Sequence, residues 1–193
     1  MSAAEVPRLI LCGERVKLRT PQFQDADRSY KWFADPEITR YLPLAGRGKL
    51  PMDAIREFIV RVSRSDSPEL AVSIEAEGEY IGCGGLRNID CESAELSIII
   101  GEHRFQGRGI AHEAAMLLLG HAFRTLGLKT VWLIVRGDNQ RALKLFERLG
   151  FVRNQLLLGA VVVDGEPKDK WKMTLSREAF QGIEHRISPA TGR

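Results

Sequence analysis

The sequence predicts an α/β fold in which helices flank one mixed sheet, mostly antiparallel with one parallel pair of strands. The predicted elements follow the order β, α, α, β, β, β, α, β, α, β, β. Two hairpin signals, Glu77-Gly78-Glu79 and Asp164-Gly165, join antiparallel neighbours. Between them, two apolar strands at Glu95–Gly101 and Thr130–Val135 are separated by a long helix, which is the arrangement of a parallel pair.

Apolar periodicity predicts the elements of the first half. Ile10–Arg19 alternates between apolar and charged residues and is predicted as a half-exposed strand. Phe23–Ala34 has apolar residues at helical spacing until Asp35-Pro36 ends the helix. The remaining elements are a loop at Pro43–Pro51, a helix at Asp53–Val62 and strands at Leu70–Glu75 and Tyr80–Leu86.

In the second half, the run Ile98-Ile99-Ile100 predicts a strand that is buried on both faces. A helix is predicted from Gly109 to about Leu126, and Asp138 is predicted to cap the next helix. The last two strands are Phe151–Leu158 and Val161–Leu175. Together the elements predict a single domain over residues 1–180, followed by a flexible tail over residues 181–193.

Composition indicates an ordinary soluble globule, with 44% hydrophobic and 27% charged residues and a net charge of +3. Basic residues are spread among acidic ones, so no nucleic-acid partner is predicted. Three cysteines without metal-ligand spacing favour a reducing compartment, with Cys83 as a buried structural thiol in a strand. Without a signal-peptide pattern or a membrane-spanning stretch, we expect a cytoplasmic monomer or homodimer with no membrane partner.

A glycine-bearing turn between the strand Glu95–Gly101 and the long helix is the strongest functional signal. Its sequence is Arg104-Phe105-Gln106-Gly107-Arg108-Gly109-Ile110-Ala111, with the pattern Gln-x-x-Gly-x-Ala. The first amides of a helix have no intrahelical partner and carry partial positive charge, so they bind phosphate oxygens. Glycines permit positive φ and close approach of a ligand, and arginines add charge. The turn therefore predicts a phosphate site; the alternative is a plain strand-to-helix connection.

Two common nucleotide motifs do not match this turn. A Walker loop requires Lys-[Ser/Thr] after its last glycine, whereas Ile110 and Ala111 follow Gly109. A dinucleotide fingerprint requires Gly-x-Gly-x-x-Gly near a first βα turn, whereas here the third glycine is replaced by His112.

The turn and its surroundings resemble the GNAT superfamily of acetyl-CoA-dependent N-acetyltransferases. The match includes Gln-x-x-Gly-x-Ala after an apolar strand, the second strand at Thr130–Val135, Asn139 after it, and Leu149-Gly150-Phe151 after the next helix. More narrowly, the chain is similar to the branch that contains the ribosomal-protein N-terminal acetyltransferases. Further matching segments run from Gly13–Arg19 through Asp35-Pro36-Glu37 and Gly78–Gly85 to Met173-Thr174-Leu175.

The resemblance implies a GNAT fold, in which the strands matching Glu95–Gly101 and Thr130–Val135 splay apart and the pantetheine arm of CoA lies in the gap. It implies a pyrophosphate site at the amides of Gln106, Gly107, Arg108, Gly109, Ile110 and Ala111. It also implies a pantetheine site at Ile99, Ile100 and Gly101, with an oxyanion donor near Ile99.

Acetyl transfer to an amine requires a base or a water chain, because an alkyl amine with a pKa of about 10.4 is mostly protonated at neutral pH. Glu95 is the candidate base, since alternation puts it on one strand face with Ser97 and Ile99. A structural carboxylate that pairs with a nearby Lys or Arg remains an equal alternative. Asp90 and Glu92, in the preceding turn, are weaker candidates.

Two further positions follow from the resemblance. Asn139 matches an asparagine that contacts CoA directly or through water. Phe146 replaces a tyrosine that in many relatives donates a proton to the CoA thiolate, so the donor is another hydroxyl or water, or the thiolate leaves unassisted. His103, just before the phosphate turn, could touch CoA, and no histidine pair has metal-ligand context, so no metal is expected.

These observations predict an N-acetyltransferase that moves an acetyl group from acetyl-CoA to a primary amine, of a protein N-terminus or a small molecule, by direct transfer in a ternary complex. The alternative is a CoA-binding or protein-interaction module that keeps the fold without turnover. The sequence does not identify the acceptor, because function resides in the pocket rather than in the fold.

Overall fold

The computed structural model describes residues 9–42 and 49–187 of the chain. The strands are β1 (Ile10–Cys12), β2 (Val16–Arg19), β3 (Leu70–Ala76), β4 (Glu79–Arg87), β5 (Ser93–Ile100), β6 (Thr130–Arg136), β7 (Val152–Val163) and β8 (Glu166–Ser176). The helices are α1 (Ala26–Phe33), α2 (Pro36–Thr39), α3 (Met52–Val62), α4 (Ile110–Gly120), α5 (Gln140–Arg148) and α6 (Arg177–Ile187). Within the predicted loop at Pro43–Pro51, residues 43–48 lie outside the described part.

The strands form one eight-stranded mixed sheet in the order β1-β2-β3-β4-β5-β6-β8-β7. β5 and β6 pair in parallel, with Ser93 opposite Thr130 and Glu95 opposite Trp132, so the pairing involves the first three residues of each strand. The pairs β1/β2, β2/β3, β3/β4, β6/β8 and β7/β8 are antiparallel. The predicted mixed α/β fold with a parallel pair is therefore confirmed.

The chain divides into two compact units. The first contains the described residues up to 88 together with 97–118, and the second contains 89–96 and the described residues from 119 onward. The single domain predicted over residues 1–180 stays a prediction. Within the described ranges, no helix is long and apolar enough to cross a membrane.

In the first unit, α1 and α3 pack through small and branched side chains. Ala26, Ile55 and Ile59 are buried together, and Tyr30 and Phe33 pack against them. The spacing of the two isoleucines places them on one face of α3, which is the pattern that predicted this helix. Burying each such side chain stabilises the fold by roughly 1.5–3 kcal/mol.

Strand β4 lies unusually close to the β5 backbone. A Cβ added at Gly82 would lie 2.2 Å from the carbonyl oxygen of Ile99, and one added at Gly84 would lie 2.5 Å from that of Ser97. Glycine at these two positions permits the close approach of the backbones.

The second unit contains a π-helical turn, His121–Thr125, that directly follows α4. The amide of Leu126 donates to the carbonyl of His121 at 3.0 Å, five residues earlier. Phe123 of this turn is buried and packs against Phe180 of α6, with ring centroids 5.1 Å apart. The turn thus places an aromatic side chain in the core of this unit.

Several predicted boundaries differ from the structure. The strand predicted over Ile10–Arg19 is divided into β1 and β2 by a turn in which Gly13 N–H donates to the Val16 carbonyl at 2.8 Å. Ile98, Ile99 and Ile100 are half-buried, so burial on both faces was wrong. Helix α6 was not predicted; it includes residues 181–187 of the predicted tail, whose remainder, 188–193, lies outside the described residues.

Candidate active site

The glycine-bearing turn joins β5 to α4 as predicted. A short 3₁₀ turn at His103–Phe105 is followed by Gly107 and Gly109, whose φ angles are 79° and 81°. The Gly109 carbonyl accepts the first helical hydrogen bond, from the Glu113 amide at 3.1 Å. The amides of Ile110 and Ala111 therefore have no intrahelical acceptor, because the carbonyls that they would need lie before the helix.

The turn fits a phosphate group through its glycines and its helix start. A Cβ on Gly109 would meet the Arg15 guanidinium, with Nη2 at 3.2 Å, so a side chain there would enter the space beside the first amides of α4. The backbone at this position is also in the left-handed region that favours glycine. Positive charge, amides without an intrahelical acceptor and a missing side chain are the features that an anion site requires.

Gln106 makes two hydrogen bonds within the turn and to the end of β5. Its amide donates to the His103 carbonyl at 3.0 Å, so this N–H is used within the turn. Its side-chain Nε2 donates to the Ile100 carbonyl at 2.9 Å and ties the turn to the end of β5. Gln106 therefore helps to position the turn, and its contact with the pyrophosphate stays a prediction.

Arg15 and Glu113 belong to the site and were missed by the sequence prediction. The Glu113 carboxylate accepts hydrogen bonds from the Arg15 amide at 2.7 Å and from the Val16 amide at 3.1 Å, and it pairs with Arg15 Nε at 3.0 Å. Arg15 Nη1 donates to the Arg108 carbonyl at 2.8 Å. Burial alone raises the pKa of the Glu113 carboxyl, but these bonds lower it below its usual value.

The arginines of the turn pair with carboxylates from the β3–β4 hairpin. Arg108 Nη2 lies 2.7 Å from Glu77 Oε1, and Arg104 pairs with Glu79. About half of each arginine side chain is exposed, so both guanidinium groups remain accessible to an anion. His103, which could touch CoA, instead has Nε2 at 2.8 Å from Asp35 Oδ2, and this hydrogen bond raises the pKa of the imidazole.

The backbone amide and carbonyl groups of successive residues in strand β5 face opposite edges of the strand. The carbonyls of Ser97 and Ile99 face β4, and the Gly101 amide donates to the Ile81 carbonyl of β4 at 2.9 Å. Successive residues of a strand turn their backbone groups to opposite edges, so the Ile100 amide faces the opposite edge. Ile100, rather than Ile99 or Gly101, therefore has the backbone donor that a ligand along that edge could use. Gly101 is required by packing, since a Cβ there would lie 2.1 Å from the Trp32 ring.

A cavity of about 200 Å³ lies within the first unit, between the helices and one face of the sheet. Its helical side is apolar and is formed by Phe33, Ile55, Phe58, Ile59 and Val62. Its sheet side includes Ser73, Tyr80, Cys83, Ser97 and Ile99. Ile99 thus lines this cavity, and strand alternation turns the amide of the next residue to the opposite edge of the strand.

Several hydrogen-bonded polar side chains lie at the sheet side of the cavity. Arg19 donates to both oxygens of Asp25, at 2.7 and 2.8 Å, and Ser73 Oγ donates to Asp25 Oδ2 at 2.7 Å. The hydroxyls of Tyr80 and Ser29 lie 2.8 Å apart. Burial raises the pKa of the Tyr80 hydroxyl and raises that of the Cys83 thiol to about 12, so both stay protonated. Cys83 lies in strand β4 as predicted, but the residue is half-buried rather than fully buried.

Glu95 lies in β5 where this strand pairs with β6, and only 6% of its surface is exposed. Alternation along β5 puts its side chain on the same face of the strand as Ser97 and Ile99. A carboxylate at this place is compatible with a base and with a structural ion pair, so its role stays a prediction.

The structure corrects the predicted cap of α5. Asn139, not Asp138, is the N-cap, and its Oδ1 accepts from the Ala142 amide at 3.1 Å. Asp138 instead pairs with Arg136 Nε at 3.0 Å. Because both residues prefer helix starts, the sequence alone did not separate them by one position.

Phe146 is buried in α5, with 7% of its surface exposed. Its ring meets that of Phe151 edge-on, with centroids 5.6 Å apart. This arrangement accounts for phenylalanine through packing alone.

Comparison with known proteins decides the family. Residues 15–152 match the model of the acetyltransferase (GNAT) domain. The chain belongs to the GNAT acetyltransferases. It is 26% identical to the uncharacterized N-acetyltransferase p20 of Bacillus licheniformis over 178 residues, which cover 89% of this chain and 98% of the relative.

Other similarities agree with this acetyltransferase family. Spermidine N(1)-acetyltransferase of Escherichia coli is 29% identical over 117 residues, covering 60% of this chain and 62% of that protein. The structure of spermidine N-acetyltransferase from Vibrio cholerae, in complex with CoA and spermine, superposes with a TM-score of 0.79 at 23% identity, covering 88% of this chain and 99% of that one. The latter similarity shows the fold.

The protein is thus an acyltransferase, an acetyl-CoA-dependent N-acetyltransferase, as the sequence predicted. The narrower resemblance to ribosomal-protein N-terminal acetyltransferases has no specific support among these relatives. Across the described residues, no group of three or more histidine, cysteine, aspartate or glutamate side chains could hold a metal ion.

Proposed function

We propose that this acetyltransferase moves the acetyl group of acetyl-CoA directly to a primary amine within a ternary complex, without an acyl-enzyme. One observation carries the proposal: Ile99 lines the cavity, and the Gly101 amide donates to Ile81 of β4, so that strand alternation turns the Ile100 amide to the opposite edge of the same strand. A single strand can therefore hold the thioester beside an acceptor. The acceptor class includes small amines, such as the spermidine named for two relatives, and protein N-termini.

The residues that follow Gln106 would hold the cosubstrate. The amides from Gly107 to Ala111 would bind the pyrophosphate, with Arg15, Arg104 and Arg108 adding positive charge. The Ile100 amide would orient the pantetheine arm and its thioester. Asn139 and Phe146, placed by resemblance, stay predicted contacts of CoA.

Acetyl-CoA supplies a thioester whose carbonyl carbon bonds to the amine nitrogen as the carbon–sulfur bond breaks with its electron pair moving to sulfur. Glu95 would accept one proton from the amine nitrogen, directly or through water. The thiolate takes up one proton, for which water is the candidate source, since Phe146 has no proton to give.

Thioester consumption with a panel of amines tests the proposal, and Glu95→Gln tests the base. If Glu95 accepts the proton, kcat should fall on the order of 10²-fold near neutral pH and less at high pH, where the neutral amine is abundant. Glu166→Gln is the matched control, because Glu166 lies in β8 at the hairpin turn and pairs with Lys168 at 2.5 Å. A loss that is independent of pH would assign Glu95 a structural role.

The kinetic order tests direct transfer separately. Initial rates over both substrates should give intersecting reciprocal plots, whereas parallel plots would indicate an acyl-enzyme.

A further inference from the structure

We propose that the cavity in the first unit binds the acceptor, and that the acceptor is a primary monoamine whose remainder is a short alkyl or aromatic group. The inference rests on the proposed function and names its substrate class. A monoamine acceptor differs from spermidine, the polyamine in the names of the spermidine acetyltransferases.

The size and walls of the cavity suit a hydrocarbon group. Its volume is about 200 Å³, and the α3 side offers Ile55, Phe58, Ile59 and Val62. An apolar protein cavity of about 150 Å³ is large enough for benzene, so this one accepts a phenyl ring or a short alkyl chain. Transfer of such a group from water is favourable by roughly 25 cal/mol per Å² of apolar surface.

The charges around the cavity disfavour a second ammonium group. Two charged residues belong to the lining, Glu69 and Arg87. Glu69 is already paired with Arg61, whose Nη1 lies 3.2 Å from Glu69 Oε1. A buried ammonium without a carboxylate partner loses its hydration and gains no ion pair, so a diamine fits poorly.

The sheet side of the cavity favours the amine in its neutral form. Ser29, Ser73 and Tyr80 belong to this side; Ser73 Oγ donates to Asp25, and the Ser29 and Tyr80 hydroxyls are bonded to each other, so that these uncharged oxygens keep lone pairs that can accept from an amine. The nearby carboxylate of Asp25 is neutralised by two hydrogen bonds from Arg19. Because the neutral amine is the nucleophile, the same environment that excludes a second charge prepares the reacting nitrogen. Ile99, from the strand proposed to orient the thioester, completes this side.

A matched pair of acceptors tests the inference on the intact enzyme. n-Hexylamine and hexamethylenediamine have the same chain length and differ by the terminal ammonium. We expect kcat/KM for n-hexylamine to exceed that for the diamine on the order of 10²-fold. A preference for the diamine, or for spermidine, would overturn the inference while leaving the acetyltransferase function intact.

A matched pair of variants locates the effect in the cavity. Phe58 lines the cavity with 46% of its surface exposed, and Val60 is 53% exposed on the same helix outside the cavity. Phe58→Glu should shift the ratio of the two kcat/KM values toward the diamine by about tenfold or more, and Val60→Glu should leave it unchanged. Equal shifts in both variants would overturn the assignment of the cavity.

A binding measurement separates the inference from the proposed function. Calorimetry should detect n-hexylamine binding to the wild-type enzyme and to Val60→Glu, with clearly weaker binding to Phe58→Glu. Binding with this pattern but no thioester consumption by any amine would refute the proposed function and retain the cavity as an amine site. Turnover without this pattern would refute the cavity and retain the function.

Discussion

Phe146 stands where the family resemblance implies a tyrosine, and its packing decides what a hydroxyl there would do. The ring is buried edge-on against Phe151. In Phe146→Tyr the new hydroxyl would be buried without a partner, so we expect a loss of roughly 1–3 kcal/mol in unfolding free energy and no gain in kcat. Both quantities should be measured on one preparation. A higher kcat with an unchanged thermal midpoint would instead show that the hydroxyl reaches the CoA thiolate.

Asn139 has two possible tasks that substitution can separate. Its side chain caps α5, so Asn139→Ala should lower stability by about 1 kcal/mol, whereas Asn139→Asp should retain the cap. If the amide group also contacts CoA, the KM for acetyl-CoA should rise in both variants, although only alanine lowers stability. Denaturant unfolding and steady-state kinetics give the two readouts. An unchanged KM in both variants would leave Asn139 as a cap alone.

At the scale of elements, the turn before α4 should be sensitive to any side chain at Gly109. In Gly109→Val the branched side chain meets the Arg15 guanidinium and the backbone remains at positive φ. We expect acetyl-CoA binding to weaken by about an order of magnitude or more, as measured by calorimetry.

Gly165→Val is the control for backbone strain at this turn. Its φ of 80° is nearly equal to that of Gly109, and no atom lies within 4 Å of the added Cβ. The control should lose stability and keep acetyl-CoA affinity. Equal affinity losses in the two variants would remove the turn from the cosubstrate site.

Elements with a clear apolar periodicity could be predicted from the sequence, whereas contacts between residues far apart in the sequence could not. Helix α3 and the β7–β8 hairpin followed from apolar spacing and from Asp164-Gly165. The phosphate turn followed from its glycines, because backbone requirements are local. The role of Glu113 depends on Arg15, which is 98 residues away in sequence, and no local pattern reports such a pair. The cavity likewise combines residues from separate helices and strands.

For the whole molecule, the buried Arg19–Asp25 pair should shape the dependence of stability on pH. Burial alone raises the pKa of the Asp25 carboxyl, but hydrogen bonds from Arg19, the Gln22 amide and Ser73 lower it below the usual value. A lowered native pKa means that this stability is present above the unfolded pKa of about 3.9 and is lost as the pH falls through the native value. The wild-type thermal midpoint should therefore fall in acid.

Arg19→Met tests this pair by leaving the carboxylate buried without its cation. We expect a loss of about 3–5 kcal/mol at neutral pH. The difference from wild type should shrink toward pH values of about 4, because burial then favours the protonated carboxyl. Arg64→Met, which breaks the exposed pair of Arg64 with Asp66, should leave the midpoint unchanged. An equal loss at neutral and acidic pH would show that Arg19 acts through packing alone.

The close contact between β4 and β5 has a consequence for how freely this sequence can vary over generations. At Gly82 and Gly84 an added methyl group would collide with main-chain oxygen atoms, which cannot rotate away as a side chain would. Neither glycine takes part in the proposed chemistry. In a library of all substitutions, selected by growth or fluorescence, we nevertheless expect to recover only glycine codons at both positions. Most neighbouring solvent-facing positions, in contrast, should accept several residue types. The residue type at these two positions is thus constrained by the spacing of the strands rather than by catalysis.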